Sequence, residues 1–294
     1  MSVKCIDIST WQTDVNFEKV KAAGIRAVII RAGYGIEAAQ KDDQFENHYR
    51  GARAAGLYVG AYWYSYAYSM EGTAAEARAC LACIQGKRFD LPVYYDMEEE
   101  SQKSLGRSLL TQMTECFCDL IRAGGFRPGV YSNPDWFENY HDYDLLSAKY
   151  SIWLAHWASA HQLACDIWQY SDRGSVPGIS GDVDMNLIEN TSVIGSDASA
   201  PAAKAAPADK FTQSVQLGFY YLGTDYACPA AQVKTVQRLM NWLGYRDPDG
   251  RVLKVNGVFG KETDHAVRVY QKKHRLTADG IVGPVTWRLL TGAK

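Results

Sequence analysis

Eight short apolar stretches punctuate the first 190 residues, and their order and spacing are what most limit the fold. They are "KCIDIS" from Lys4, "RAVIIRAG" from Arg26, "LYVGAYWYSYA" from Leu57, "LPVYYDME" from Leu91, "RPGVYSN" from Arg127, "SIWLAHW" from Ser151, "DIWQYS" from Asp166 and "DVDMNLI" from Asp182. β-Branched and aromatic residues dominate them, as in strands. Helical segments lie between the early ones: "NFEKVKAAG", a run within 42–55, one near 72–85 and a long one near 104–123. Strand and helix in alternation build a parallel sheet, and eight such strands are the count of a (β/α)8 barrel. The late gaps are too short for the regular version. Ten residues separate Leu154 from Cys165 and twelve separate Gln169 from Asp182. The expected fold class is α/β, a modified (β/α)8 barrel with helices missing in its second half.

A second, smaller unit follows. Residues 196–210, "SDASAPAAKAAPADK", are an Ala/Pro linker. The expected division is a barrel over 1–192, a linker over 193–212 and a C-terminal module over 213–294 with its core at about 226–292. That module contains an echo. "VNGVFGKET" (255–263) and "ADGIVGPVT" (278–286) share the pattern x-(N/D)-G-x-x-G-x-x-T, and a helical run follows each. Pro284 suits the first turn of a helix. With the amphipathic "AAQVKTVQRLMNWLG" before them, these runs predict an all-α, three-helix unit. Its core candidates are Val236, Leu239, Leu243, Val267, Tyr270, Trp287 and Leu290.

Charge divides the same way. Residues 1–209 carry a net −9 and residues 210–294 a net +7. A basic tail suits an anionic partner such as a cell-wall polymer. Nucleic acid is the rival partner, but no DNA- or RNA-binding motif accompanies the charge, so none is expected. No apolar run reaches about 18 residues, so no membrane insertion is expected. The first strand begins at Lys4, which leaves no room for a signal peptide ahead of it. Seven cysteines, an odd number without a dense framework, read as free thiols. Cys80 and Cys83 could join Cys116 and Cys118 in a zinc site, but core packing is the commoner fate of such residues. The six histidines show no metal-ligand spacing, and no cofactor is expected.

The chemistry concentrates in acids. Asp7, Asp96, Glu98 and Asp184 lie at or near the predicted C-terminal ends of strands, the end that carries the active site in barrels. Asp96 and Glu98, two apart on one strand, face the same way with Cα atoms roughly 7 Å apart. Strands one and eight meet when the barrel closes, which should bring Asp7 close to Asp184. Four carboxylates at one mouth are tolerable if one is protonated and the others are hydrogen-bonded, and that is the state a general acid needs. Aromatic residues near the same strand ends would offer flat faces to sugar rings. Trp11, Tyr34, Tyr62, Tyr64, Tyr131, Trp153, Trp157, Trp168 and Tyr170 are so placed, with Tyr62, Tyr131 and Trp153 the foremost candidates.

The stretches "CIDISTWQ", "IIRAGYG", "GAYWYSYA", "LPVYYDME", "GVYSN", "IWLAHW", "IWQYS" and "GDVDMN", in this order over residues 3–190, resemble glycoside hydrolase family 25. The tail, about 226–292, resembles the peptidoglycan-binding domain of wall hydrolases. Its one departure is Asn256, where that motif usually has Asp. The resemblance implies a lysozyme that cleaves the β-1,4 bond between N-acetylmuramic acid and N-acetylglucosamine in peptidoglycan, with retention. It implies Glu98 as general acid and Asp96 as its partner. Asp96 would act either as nucleophile or by orienting the substrate's own 2-acetamido group, and analogy with other acetamido-assisted hydrolases favours the second. Asp7 and Asp184 match the family's other two acids. Tyr62, Tyr64, Tyr131, Trp153, Trp157 and Gln169 are the expected substrate contacts. A monomer acting on the bacterial cell wall is expected, released in the manner of a phage endolysin or exported as an autolysin by a trimmed or non-classical route. Two rival functions are a glycosidase for another N-acetylated polymer such as chitin, and a catalytically silent wall-binding protein.

Overall fold

Strand β1 (Val3–Ile8) starts a closed barrel that continues through β2 (Ala27–Tyr34), β3 (Tyr58–Tyr64), β4 (Val93–Asp96), β5 (Pro128–Ser132), β6 (Ser151–Ala155), β7 (Ile167–Gly174) and β8 (Val183–Ile188). The computed structural model describes residues 2–195 and 230–291. The chain divides into two compact units, Met1–Ala200 and Pro201–Lys294. Most of the expected linker, residues 211–228 and Cys228 lie outside the described residues.

Strands β1 to β7 run parallel, each paired with the next in sequence. Strand β8 does not follow them. It lies antiparallel to both β7 and β1. The physical reason is connection length. A parallel return needs a crossover of a dozen or more residues, and only 175–182 separate the two strands. The sequence predicts the shortage but not the inversion, and the inversion corrects one expectation. Asp184 lies near the start of its strand, not at the C-terminal end, and it reaches the mouth because β8 runs backwards.

The early crossovers carry α1 (Phe17–Ala22), α2 (Phe45–Ala54), α3 (Met70–Ile84) and α4 (Arg107–Ala123). Two of these starts have side-chain caps: Asn16 accepts from the Lys19 N–H and Ser69 from the Gly72 N–H. The crossover from β5 to β6 shrinks to a π turn at Trp136–Tyr140 and the five-residue α5 (Tyr143–Ser147). Residues 156–166 and 175–182 contain no helix.

Alternation along the strands sorts the barrel interior into layers. The lower layer is apolar and includes Cys5, Ile29, Tyr94, Ile167 and Ile188. Two residues further along each strand the inward positions turn polar: Asp7, Arg31, Asp96, Gln169 and, counting backwards on β8, Asn186. Gly129 fits this packing, since a Cβ there would stand 2.3 Å from the Tyr94 ring. The paired cysteines of α3 and α4 are core residues. Cys80, Cys83, Cys116 and Cys118 are buried, and burial raises each thiol, which keeps the proton on.

The C-terminal unit consists of α6 (Ala230–Trp242), α7 (Lys261–Lys273) and α8 (Pro284–Thr291). Six of the seven core candidates are buried; Leu243 is only half-buried, and Tyr245 is buried beside it in sequence. The repeated motif is explained by two buried glutamines. Gln237 donates to Asn256 Oδ1, the Val258 carbonyl and the Thr263 hydroxyl, and accepts from the Gly257 N–H. Gln271 does the same with Asp279, Ile281, Thr286 and Gly280. Gly257 and Gly280 have φ of 79° and 71°, a left-handed conformation that glycine adopts without strain. Asn256 serves as well as an aspartate because the turn uses only its side-chain oxygen, which also accepts from the Val258 N–H.

Replacing Gln271 by leucine should strand buried donors and acceptors around the second turn and cost about 2–4 kcal/mol. Hydrogen exchange followed by mass spectrometry should show faster exchange across 261–290 in Q271L, with barrel peptides unchanged.

Candidate active site

Four carboxylates meet at the barrel mouth. Asp7 on β1 and Asp184 on β8 are direct cross-strand partners. Asp96 ends β4, and Glu98 follows it after Met97 turns outward to accept from the Thr114 hydroxyl of α4. Asp7, Asp96, Glu98 and Asp184 all line one cavity of about 210 Å³. Tyr62, Tyr64, Tyr131 and Trp153 line it as well.

Hydrogen bonds fix the Asp7 side. Its Oδ2 accepts from Gln169 Nε2 at 3.0 Å and from Asn186 Nδ2 at 2.8 Å. Burial first, and the charge of Asp184 second, push the Asp7 carboxyl well above the usual range. A side-chain hydrogen bond links the two acids; it raises Asp7 and lowers Asp184, the directions expected if Asp7 is the donor. Burial also raises Asp184, while the hydrogen bond from Asp7 lowers it.

Burial dominates at the other two acids as well. It holds Asp96 well above the carboxylate range, with the charges of Glu98 and Asp7 adding to it and Arg31 opposing. Asp96 Oδ1 is buried and meets no hydrogen-bond donor among the described residues. Glu98 is half-buried and is pushed up to about 7, by burial and then by the charges of Asp184 and Glu99. A carboxyl titrating there is still largely protonated just below neutrality and can both give and take a proton.

The six expected substrate contacts fall into two groups. Tyr62, Tyr64, Tyr131 and Trp153 lie on the cavity, although Trp153 is 1% exposed and acts mainly as its floor. Trp153 packs against Tyr131 at 4.4 Å between ring centroids and donates to Asn186 Oδ1 at 2.7 Å. Gln169 and Trp157 do not line the cavity. Gln169 is buried behind Asp7, where its Oε1 accepts from the Tyr131 hydroxyl and from Trp157 Nε1. Its polar atoms are engaged in positioning neighbours.

Three residues escaped the sequence reading as site residues. Arg31 lines the cavity, pairs with Asp42 at 2.7 Å and offsets the charge near Asp96. A lone cation inside the apolar run "VIIRAG" was its available signal. Asn186, two residues from Asp184 on the same face of β8, ties Asp7 to Trp153. Glu99 is no mere rim residue, because it accepts from the Tyr64 hydroxyl at 3.2 Å and adds charge beside Glu98. Trp11 is 80% exposed and, with Arg31 and Tyr64, also lines a neighbouring pocket of about 580 Å³.

A barrel with carboxylates paired in this way at its mouth and aromatic walls around them defines a glycoside hydrolase. Residues 6–179 match the family model described as Glycosyl hydrolases family 25, and the chain belongs to that family. Residues 229–290 match a putative peptidoglycan binding domain. Lysozyme M1 of Streptomyces globisporus is 33% identical over 63% of this chain and 67% of its own length. The autolytic lysozyme of Clostridium acetobutylicum is 28% identical over 97% of this chain and 77% of its own. In structure, the barrel resembles the modular autolysin LytC of Streptococcus pneumoniae with a TM-score of 0.57 at 22% identity. That likeness of fold covers 63% of this chain and 46% of the autolysin.

The raised Glu98 carboxyl has a consequence for stability. Its ordinary value is 4.5 and the folded value about 7, so the folded state holds this proton more tightly than the unfolded chain does. Its contribution is fully present below 4.5 and is lost as pH rises through 7. Glu98→Gln should therefore be more stable than wild type at pH 8, by on the order of 1–3 kcal/mol, and the difference should close below pH 4.5. Thermal unfolding across pH 4–8 measures it.

Proposed function

We propose that this chain is an N-acetylmuramidase that cleaves the β-1,4 bond between N-acetylmuramic acid and N-acetylglucosamine in peptidoglycan, with retention. The observation that carries the reading is the pairing of a half-buried Glu98, raised to about 7, with a buried Asp96 whose Oδ1 lacks a donor. Family membership and the tail module support peptidoglycan as the polymer. The names of the relatives, lysozymes and an autolytic lysozyme, agree. Action at the cell wall follows from the same features. The domain division at about 193–212 belongs to this reading too: a catalytic barrel and a tail that keeps it on its polymer.

In the first step, the Glu98 O–H protonates the glycosidic oxygen as the C1–O bond breaks. The carbonyl oxygen of the substrate's 2-acetamido group forms a bond to C1 and closes an oxazolinium ring. Asp96 accepts the acetamido N–H, which supplies the donor its carboxylate lacks, and its charge stabilises the ring cation. Burial is the largest cause that raises Asp96; with Glu98 protonated and Asp7 neutral the two charges that add to it are absent, and Arg31 and the acetamido N–H favour the anion Asp96 must be. In the second step, the Glu98 carboxylate takes a proton from water, whose oxygen attacks C1 and opens the ring. Two inversions at C1 give net retention, and Glu98 ends protonated.

Glu98→Gln removes the proton donor and should lower kcat by about 10²–10⁴-fold. Digestion of purified peptidoglycan, borohydride reduction and mass analysis provide the test. Wild type should give fragments ending in reduced muramic acid, and E98Q should give almost none. Glucosamine-terminated fragments would overturn the bond assignment. Release from chitin in preference to peptidoglycan would overturn the polymer.

The acetamido route makes a separate prediction. A glycan whose reacting sugar has a hydroxyl in place of the 2-acetamido group should resist cleavage and leave no sugar bound to the protein. Mass spectrometry of a slow fluorinated substrate tests this, because a glycosyl adduct on Asp96 would mean that Asp96 is the nucleophile.

A further inference from the structure

At the opposite end of the barrel from the mouth, β7 begins where β8 ends. The antiparallel register pairs Ile167 with Ile188, and one step further out the Glu189 N–H donates to the Asp166 carbonyl at 2.8 Å. This places Glu189 beside Cys165. The helix-free loop 156–166 then folds back so that His161 packs on Trp168, with ring centroids 5.0 Å apart. The result is an imidazole, a thiol and a carboxylate whose ligand atoms all lie within 4.8 Å of one another. Among the described residues it is the cluster with this donor set, and the sequence reading had assigned nothing to His161. The HQLAC spacing, four residues from His161 to Cys165, was the signal missed.

The hydrogen bonds around His161 define its state. Nδ1 lies 2.8 Å from the Leu163 carbonyl oxygen, which can only accept, so Nδ1 carries a proton. In the neutral ring Nε2 is then a lone pair, and it faces Glu189 Oε2 at 3.0 Å. Two acceptors at that distance repel unless a cation lies between them. Either a second proton or a metal ion serves. The third group favours the metal: Cys165 Sγ is 3.8 Å from Nδ1 and 3.9 Å from Nε2. Tetrahedral zinc with its usual bond lengths holds such ligand atoms roughly 3.3–3.6 Å apart. To share one ion with Nε2, the Cys165 sulfur must rotate from its place nearly equidistant from both ring nitrogens toward the Glu189 side. The Nδ1–H to backbone carbonyl contact is also the outer-shell arrangement that orients a metal-binding histidine.

We infer that His161, Cys165 and Glu189 form a site for a divalent transition-metal ion, Zn²⁺ by donor chemistry, with solvent completing the tetrahedron. Nitrogen, sulfur and carboxylate donors suit zinc and exclude magnesium or calcium as natural occupants. The ion would staple the loop that stands in for a missing barrel helix to the end of β8, away from the catalytic acids. In the metal-free protein, burial and then the charges of Glu189 and Asp166 push the Cys165 thiol up to about 12. A bound divalent cation offsets those charges and displaces the thiol proton.

The test uses the full chain, stripped with a chelator, dialysed, and titrated with Zn²⁺ and separately with Co²⁺. One equivalent should bind, with proton release, and the Co²⁺ form should show thiolate-to-cobalt charge-transfer absorption. C165S and H161N should each weaken binding by at least about 100-fold, more than loss of an outer-shell partner costs. The Co²⁺ charge-transfer band should vanish in C165S. Zn²⁺ should raise the Tm of wild type but not of C165S or H161N, and far-UV circular dichroism of those two variants checks that they remain folded. Absence of stoichiometric binding, binding that survives in both variants, or cobalt binding without the charge-transfer band would each overturn the site. His161 and Glu189 would then be a proton-bridged ion pair.

Discussion

The hydrogen bond between Asp7 and Asp184, across the seam where the barrel closes, is the interaction on which the mouth depends. It exists because β8 is inserted backwards, which puts Asp184 opposite Asp7 in register. With both ionised, two charges in a desolvated site would repel each other and the two further carboxylates beyond them. A proton held in their hydrogen bond would remove one charge, and Gln169 and Asn186 both donate to Asp7 Oδ2. Those two amides then spread the order outward. Asn186 holds the Trp153 indole, and Gln169 holds the Tyr131 hydroxyl and the Trp157 indole. The cavity floor is therefore set by the same contacts that position Asp7.

Burial makes acids reactive here, and it also makes them costly. Every carboxylate at the mouth is shifted upward, and desolvation is the first cause in each case. The protein offsets this at three of the four: hydrogen bonds lower Asp7 and Asp184, and a cation lowers Asp96. Arg31, itself paired to Asp42, leans toward the anion at Asp96, while Glu98 receives no such compensation. Under the proposed mechanism, Arg31 is the group that would favour charge on Asp96 against its burial while Glu98 holds a proton, the division of labour that hydrolysis of a glycoside by two carboxylates requires.

Much of this was legible in the chain. The eight strands, the shortened late crossovers and the four acids could be read directly, because strand alternation and crossover length are local properties. The x-(N/D)-G-x-x-G-x-x-T echo was equally visible, but its reason was not. It needs Gln237 and Gln271, which stand 19 and 8 residues from their turns, so no constant spacing advertises them. Gln169 was expected as a substrate contact from the family resemblance alone. Only the packed barrel shows that its polar atoms face Asp7, Tyr131 and Trp157.

The sequence by itself determined the parts: strand faces from period-two alternation, helix starts from caps such as Asn16 and Ser69, and the acidic residues available for chemistry. Tertiary structure decided their relations. The direction of β8 depends on how a closed sheet completes its hydrogen bonds, and that is not a property of residues 183–188 taken alone. The same reversal placed Asp184 at the mouth and Glu189 beside Cys165 at the far end. Which acid keeps a proton is likewise a tertiary fact. It depends on desolvation and on charges contributed by β1, β2, β4 and β8, strands that meet only when the barrel is closed.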